Sequence, residues 1–189
     1  MKIKDITLSN KNRDKFNIST SGDVIIPGFV TDPDTGELCR ITRLAIDLVI
    51  DSDHTDMASV VVPPTVTDIL PYCFTELSTL SKVILPDSIK TLNDGVFAEC
   101  ENLVDVKLPE TLEGIGVGVF RHCHELKKIA IPNSVKKIGQ YAFVACHKLG
   151  DVEVPATVEY VGEDAFRYVP HIYYHGNLPG APWGAKRMN

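Results

Sequence analysis

Five prolines, Pro63, Pro86, Pro109, Pro132 and Pro155, stand 23 residues apart. Aligned on them, Phe74, Phe97, Phe120, Phe143 and Phe166 fall into one column without a gap. A fixed period of this length means that each repeat is one structural unit. It cannot bury its apolar face alone and must stack on its neighbours. The same register gathers Val60, Val83, Val106, Ile129 and Val152 three residues before the proline, and Val62, Leu85, Leu108, Ile131 and Val154 just before it. Val66, Ile89, Leu112, Val135 and Val158 form a column after it, as do Ile69, Leu92, Ile115, Ile138 and Val161. Leu80, Leu103, Leu126 and Leu149 follow the phenylalanines by six. The predicted fold is a solenoid with one continuous apolar core.

Within a repeat, the alternation Ile129-Ala130-Ile131 predicts one short strand with a buried face, stopped by a proline that withholds a ladder N–H. The hydroxyl column Thr65, Ser88, Thr111, Ser134 and Thr157 suits the turn that follows. Asn93, Gly116, Gly139 and Gly162 form a column read as a left-handed backbone position, because Gly and Asn tolerate it best. The Phe-x-x-Cys-x-x-Leu stretch has helical spacing over only about two turns, which predicts a short 3₁₀ or helical arc. The fold class is therefore mostly β, with a parallel strand ladder, short arcs and a cap at each end.

Residues 1–45 do not fit the period and are assigned to an N-terminal cap, 46–172 to the repeat turns and 173–189 to a C-terminal cap. In the first, Gly22-Asp23-Val24-Ile25-Ile26-Pro27 followed by Asp32-Pro33-Asp34-Thr35-Gly36-Glu37 reads as strand, hairpin turn, strand. Ile41 to Ile50 reads as a degenerate first turn, and Asp51 to Met57 as a polar insertion. Ile172-Tyr173-Tyr174-His175-Gly176 reads as a last strand, with Trp183 placed to cover the open end of the core.

Composition narrows the function. With 44% hydrophobic and 23% charged residues, the chain of 189 residues can fill one core and lacks the signature of disorder. A net charge of -6, with no run of five Lys or Arg, argues against nucleic acid and anionic membranes as partners. The longest apolar runs fall short of a membrane span. Met1 to Ile6 lacks the apolar stretch of a secretory signal, so a cytoplasmic location is expected if Met1 is the native start. Five cysteines, an odd number, read as reduced, buried thiols. A monomer without a cofactor is expected.

The stretch Ile131-Pro132-Asn133-Ser134-Val135-Lys136-Lys137-Ile138-Gly139-Gln140-Tyr141-Ala142-Phe143-Val144-Ala145-Cys146-His147-Lys148-Leu149 resembles the repeat of the BspA-like leucine-rich-repeat family, found mainly in bacteria and some protists. The resemblance runs in detail from Val60 to Val169, and the flanks Gly22 to Leu44 and Ile172 to Ala185 share it. It implies a leucine-rich-repeat solenoid acting as a secreted or cell-surface adhesion or interaction protein, without a cofactor.

Candidate chemistry competes with the repeat for the same residues. Gly114-Ile115-Gly116-Val117-Gly118 suggests a phosphate-cradling loop, but the final spacing is missing. Hydrolase, zinc-protease and phosphate-loop motifs are absent from the sequence. His122-Cys123-His124 with Cys146-His147 brings His124 and His147 into one column about 5 Å apart, the starting point for a metal-binding or enzymatic alternative centred on His122, His124 and His147. The acidic turn Asp32 to Glu37 is a weak calcium candidate without the spacing of an EF-hand loop. Tyr72, Tyr141, Tyr160, Tyr168 and Tyr173 are candidate interface anchors.

The favoured reading is a non-catalytic module that binds a protein or peptide on the open strand face. Two rows of side chains alternate there with the buried valines: Ser59, Lys82, Asp105, Lys128 and Asp151, beside Val61, Ile84, Lys107, Ala130 and Glu153. Lys82, Ile84, Asp105, Lys107, Lys128 and Glu153 are the partner-binding candidates, because a stacked ladder presents them already ordered.

Overall fold

Most periods supply two strands rather than the expected one, but the alternation Ile129-Ala130-Ile131 forms no strand, and only the isolated bridge from Asp105 to Lys128 marks the first ladder in that turn. The computed structural model describes residues 3–9, 11–19, 21–45, 56–186 and 188–189. Ahead of the repeats lie β1 (Lys4–Ser9), β2 (Gly22–Ile25), β3 (Phe29–Thr31) and β4 (Leu38–Ala45). The strands before the prolines are β5 (Met57–Val61), β7 (Lys82–Ile84), β9 (Asp105–Lys107) and β12 (Val152–Glu153). Those after the prolines are β6 (Asp68–Ile69), β8 (Thr91–Leu92), β10 (Gly114–Ile115), β11 (Lys137–Ile138) and β13 (Tyr160–Val161), and β14 (Ile172–Tyr173) closes the chain. The post-proline strands, at two residues each, are too short to show an alternation in the sequence.

The first ladder is the parallel sheet β2-β5-β7-β9. A bridge from Asp105 to Lys128 continues it, and the parallel pair β12-β14 follows. The second is the parallel sheet β8-β10-β11-β13, with β4 pairing β1 and β6 ahead of it. Registers step by one period, as in Ser59↔Lys82↔Asp105 and Thr91↔Gly114↔Lys137.

A third side is the arc between Pro71 and Cys146-type positions, and no described residue in it is helical. Alternate amides split their duties. Cys73 and Thr75 bond back three residues, to the Leu70 and Tyr72 carbonyls, which is the 3₁₀-type bond expected. Tyr72, Phe74 and Glu76 instead donate across to the Asp94, Val96 and Ala98 carbonyls of the next turn. The same exchange repeats turn by turn to Tyr141, Phe143 and Ala145. A continuous helix would consume every amide internally, so the arc ladders with its neighbours only because it is not one.

This arrangement corrects the reading of the glycines. Left-handed φ values of 53° to 71° occur in two other columns: Tyr72, Gly95, Gly118, Tyr141 and Asp164, and Glu76, Glu99, His122, Ala145 and Tyr168. Mostly non-glycine residues hold that conformation at about 1–2 kcal/mol each, offset by the cross-turn bonds they permit. Gly116, Gly139 and Gly162 are not left-handed. A Cβ on Gly139 would lie 2.5 Å from the Gly116 carbonyl carbon, and one on Gly162 would lie 2.3 Å from the Gln140 nitrogen. The column is glycine because stacked backbones touch there.

Inside, Phe74, Phe97, Phe120, Phe143 and Phe166 stack with centroids 5.7, 5.7, 5.4 and 5.2 Å apart and are fully buried. The strand and leucine columns fill the rest of the core. At the exit, Trp183 lies 6.3 Å from Phe166 and packs edge-on to Tyr174 at 5.1 Å, while its carbonyl accepts the Phe166 amide. Trp183 thus takes the place that a sixth phenylalanine turn would occupy.

The N-terminal region departs from expectation in two ways. The hairpin forms between β3 and β4, whereas β2 leaves it to become the first rung of the main ladder, with Val24 on Val60. Met57 is buried at the start of β5 rather than part of a polar insertion; residues 46–55, with most of the degenerate turn and of that insertion, lie outside the described residues.

Candidate functional site

The strand face carries its outward rows as a regular grid. Lys82, Ile84, Asp105, Lys107, Lys128 and Glu153 are all exposed, and β7 and β9 hold the first four in register. Lys128 joins by a single bridge, so the pleat loosens between β9 and β12. The rows are longer than the period reveals, because β2 adds Asp23 beside Ser59 and Ile25 beside Val61. Ser59 Oγ donates to Asp23 Oδ1 at 2.6 Å, fixing the first pair. Ile25 is 74% and Ile84 42% exposed with Val61 between them, so three β-branched side chains form an apolar strip at the N-terminal end. Asp23-Val24-Ile25-Ile26-Pro27 has the same alternation-then-proline pattern as Ser59-Val60-Val61-Val62-Pro63; this signal was present in the sequence and hidden only by its break from the period.

At the far end, Glu153 sits beside Tyr173 and Val152 beside Ile172. His171 Nδ1 meets Asp151 Oδ1 at 3.0 Å, and its ring packs 4.4 Å from Tyr173. Charged and aromatic groups therefore take over where the apolar strip ends. Of the candidate tyrosines, Tyr72, Tyr160 and Tyr168 are exposed while Tyr141 and Tyr173 are half-buried; they are spread over different sides rather than gathered on the strand face.

The histidine edge is assembled, but as a stack. His122 lies 5.7 Å from His124, His124 lies 5.4 Å from His147, and Tyr168 continues the row at 6.1 Å. Interplanar angles of 26° and 20° keep the imidazole planes nearly parallel. Metal-binding lone pairs lie in the ring plane, so rings piled face to face do not converge on one ion. Among the described residues, no three His, Cys, Asp or Glu side chains group to hold a metal. His122 Nδ1 is instead 2.8 Å from Glu99 Oε2, with Arg121 on the other carboxylate oxygen at 3.0 Å.

The cysteines point the opposite way. Cys100, Cys123 and Cys146 are fully buried, and each thiol donates to the carbonyl of a phenylalanine one turn back: Phe74 at 3.0 Å, Phe97 at 3.2 Å and Phe120 at 3.1 Å. Burial pushes the Cys100 and Cys146 thiols up to about 12 and Cys123 well above its ordinary value. Such thiols carry no thiolate at neutral pH and are poor nucleophiles. All five cysteines are free and buried. In the acidic turn, Asp32 Oδ1 accepts the Asp34 and Thr35 amides, and Lys15 sits 3.0 Å from Asp32 and 2.7 Å from Asp34. Ordinary turn bonding and a lysine already occupy those carboxylates.

Stacked parallel strands on two sides, a hydrogen-bonded arc on the third and an open, ordered strand face define a leucine-rich-repeat protein. Residues 52–173 match the BspA type leucine rich repeat region in six copies, and the chain belongs to that family. Its solved structural neighbours are bacterial. A leucine rich repeat protein of T. pallidum superposes with a TM-score of 0.62 at 26% identity, over 69% of this chain and 68% of that one. A leucine-rich repeat protein from Bacteroides ovatus gives 0.59 at 20% identity, over 82% of this chain and 51% of that one. A leucine rich cell surface protein from Faecalibacterium prausnitzii gives 0.63 at 21% identity, over 82% and 47%. The chain thus spans about half the length of the last two. No curated protein matches it.

Proposed function

We propose that the protein is a non-catalytic interaction module that binds a protein or peptide partner across the strand face. The observation that carries this reading is the grid of rows running from Asp23 and Ile25 to Asp105 and Lys107 and extended by the bridge to Lys128, in which an apolar strip at Ile25, Val61 and Ile84 adjoins mixed charges at Lys82, Asp105, Lys107 and Lys128. Apolar anchors ringed by charge are the anatomy of a protein interface rather than of a polyanion site. The face is ordered by its own ladder before any partner arrives, so little ordering cost falls on binding.

The test compares the triple variant Lys82→Glu/Lys107→Glu/Lys128→Glu, and separately Ile25→Asp/Ile84→Asp, with His122→Ala/His124→Ala/His147→Ala. Affinity for a partner captured by the intact chain is measured for each. The strand-face sets are expected to weaken binding tenfold or more, about 1.4 kcal/mol per decade, and the histidine set to leave it unchanged. Loss confined to the histidine set, reproduced by a chelator, would replace this reading with a metal-dependent one.

A further inference from the structure

The second ladder has a gap in it that the fold does not require. Its outward row reads Thr91, Gly114, Lys137 and Tyr160 in register, over the inward Leu92, Ile115, Ile138 and Val161. Gly114 has no left-handed φ, and a Cβ there would make only ordinary contact, 3.4 Å from Thr91 Cγ2. Unlike Gly116 and Gly139, it is not glycine for want of room. Gly118, in the left-handed column at φ 59°, also leaves no side chain beside Val117. Between Gly114 and Gly118 the turn thus presents only one exposed side chain, Val117, which is 45% exposed.

Larger side chains wall this stretch. A groove of about 440 Å³ lies over Gly114, Gly116 and Gly139, between Thr91 and Asp94 on one flank and Lys137 and Tyr160 on the other. It adjoins, through Val117, a notch of about 80 Å³ between Tyr72 and Tyr141. Tyr72 lies over Gly95, its ring filling the space a Cβ would take. Tyr72 and Tyr160 are 56% and 55% exposed. From Thr91 to Tyr160 is three ladder steps, about 14 Å.

The polar groups are balanced in sign. Asp94 and Glu113 face Lys136 and Lys137 around the groove. Lys136 is held by Glu159 at 3.6 Å and Asp94 accepts the Val117 amide at 2.8 Å, whereas Glu113 and Lys137 make no ion pair among the described residues. A charged polymer would meet both signs at once. A neutral ligand rich in hydroxyls meets no such conflict, because each hydroxyl both donates and accepts: toward Glu113 it donates, from Lys137 and Thr91 it accepts. The floor of glycine backbone, Val117 and exposed tyrosine rings suits the apolar face of a flat sugar ring.

We infer that this groove is a second binding site, taking a neutral oligosaccharide segment, independent of the strand face. The test titrates maltohexaose, cellohexaose, laminarihexaose and mannohexaose, with a heparin hexasaccharide and a proline-rich peptide as contrasts, into the isotope-labelled full chain and follows amide shifts. At least one neutral hexasaccharide is expected to shift Thr91, Gly114, Val117 and Tyr160 while the strand-face amides stay still. Gly114→Leu, which plugs the groove, and Tyr160→Ala, which removes one wall, should each weaken that binding at least tenfold. Should Gly114→Leu lose its melting transition, Tyr160→Ala at an exposed position decides alone. The inference is overturned if none of the four neutral sugars shifts the groove, if only heparin or the peptide does, or if folded variants bind as well as the parent.

Discussion

The N-terminal 45 residues and the repeats from Val60 to Val169 build parallel ladders by different means. β2 seats Val24 on Val60 as closely in register as β5 seats Val60 on Val83, and β4 meets β6 in a parallel pair of its own, in a sheet separate from β8-β10-β11-β13. Yet the N-terminal region contributes no residue to the stack of Phe74, Phe97, Phe120, Phe143 and Phe166. Pairing needs only alternation and free backbone groups, which any short strand supplies. The fixed period is demanded by the arc, where a phenylalanine, a buried residue that is cysteine in the three middle turns and two left-handed residues must all superpose on the turn below. Regular sequence therefore marks regular side-chain stacking rather than the extent of the solenoid.

The largest effect should come from the exit, where the arc's stack ends on Trp183. Deleting residues from Ile172 onward uncovers Phe166 and Val152, and chromatography with circular dichroism is expected to show aggregation or loss of the folded monomer. A soluble truncation as stable as the parent would mean that the stack needs no cover.

Next come single side chains that separate the two regions. Phe120→Ala is expected to cost about 3–5 kcal/mol in urea unfolding, since it opens a cavity between stacked rings. Phe29→Ala, at an exposed N-terminal position, should fall within about 0.5 kcal/mol. Equal costs would abolish the distinction. Gly139→Ala should cost about 1–3 kcal/mol, because the methyl strikes Gly116 backbone, while Gly114→Ala should be close to neutral.

Near neutral pH the smallest effects are those of titration, and they have opposite signs. The Cys100 and Cys146 thiols sit near 12 in the fold against an ordinary 9.0. The unfolded chain therefore releases those protons first, and this contribution to stability, complete below about 9, is lost as pH rises toward 12. Thiol labelling at pH 8 should be slow until the protein unfolds. Hydrogen bonding to Arg40 holds the Asp5 carboxyl below its usual 3.8. Its contribution is present above that value and lost as pH falls through the lower folded one, which hydrogen exchange of the β1 amides in acid would detect as faster opening.

The solenoid, its core columns and the capping role of Trp183 were legible because each rests on repetition or on a lone bulky residue at an end. Two strands per turn were not, because β8, β10, β11 and β13 have two residues each. The glycine column stands out in the sequence, but a sequence does not distinguish a glycine kept for its φ from one, like Gly116, kept for the backbone beneath it. The strand-face candidates came out exposed and in rows, while Asp23 and Ile25 were missed since they stand outside the period. Lys128 proved a looser member because its strand reduces to one bridge. The histidine edge followed from register alone, but the parallel stacking of its rings did not.

The central claim, that recognition happens on the strand face, is tested most directly by mapping a captured partner onto the isotope-labelled protein by amide shift perturbation. The account predicts a continuous footprint over Asp23 to Ile25, Ser59 to Val61, Lys82 to Ile84 and Asp105 to Lys107, with His122, His124 and His147 unmoved. A footprint confined to the histidine edge, with the strand rows silent, would contradict it.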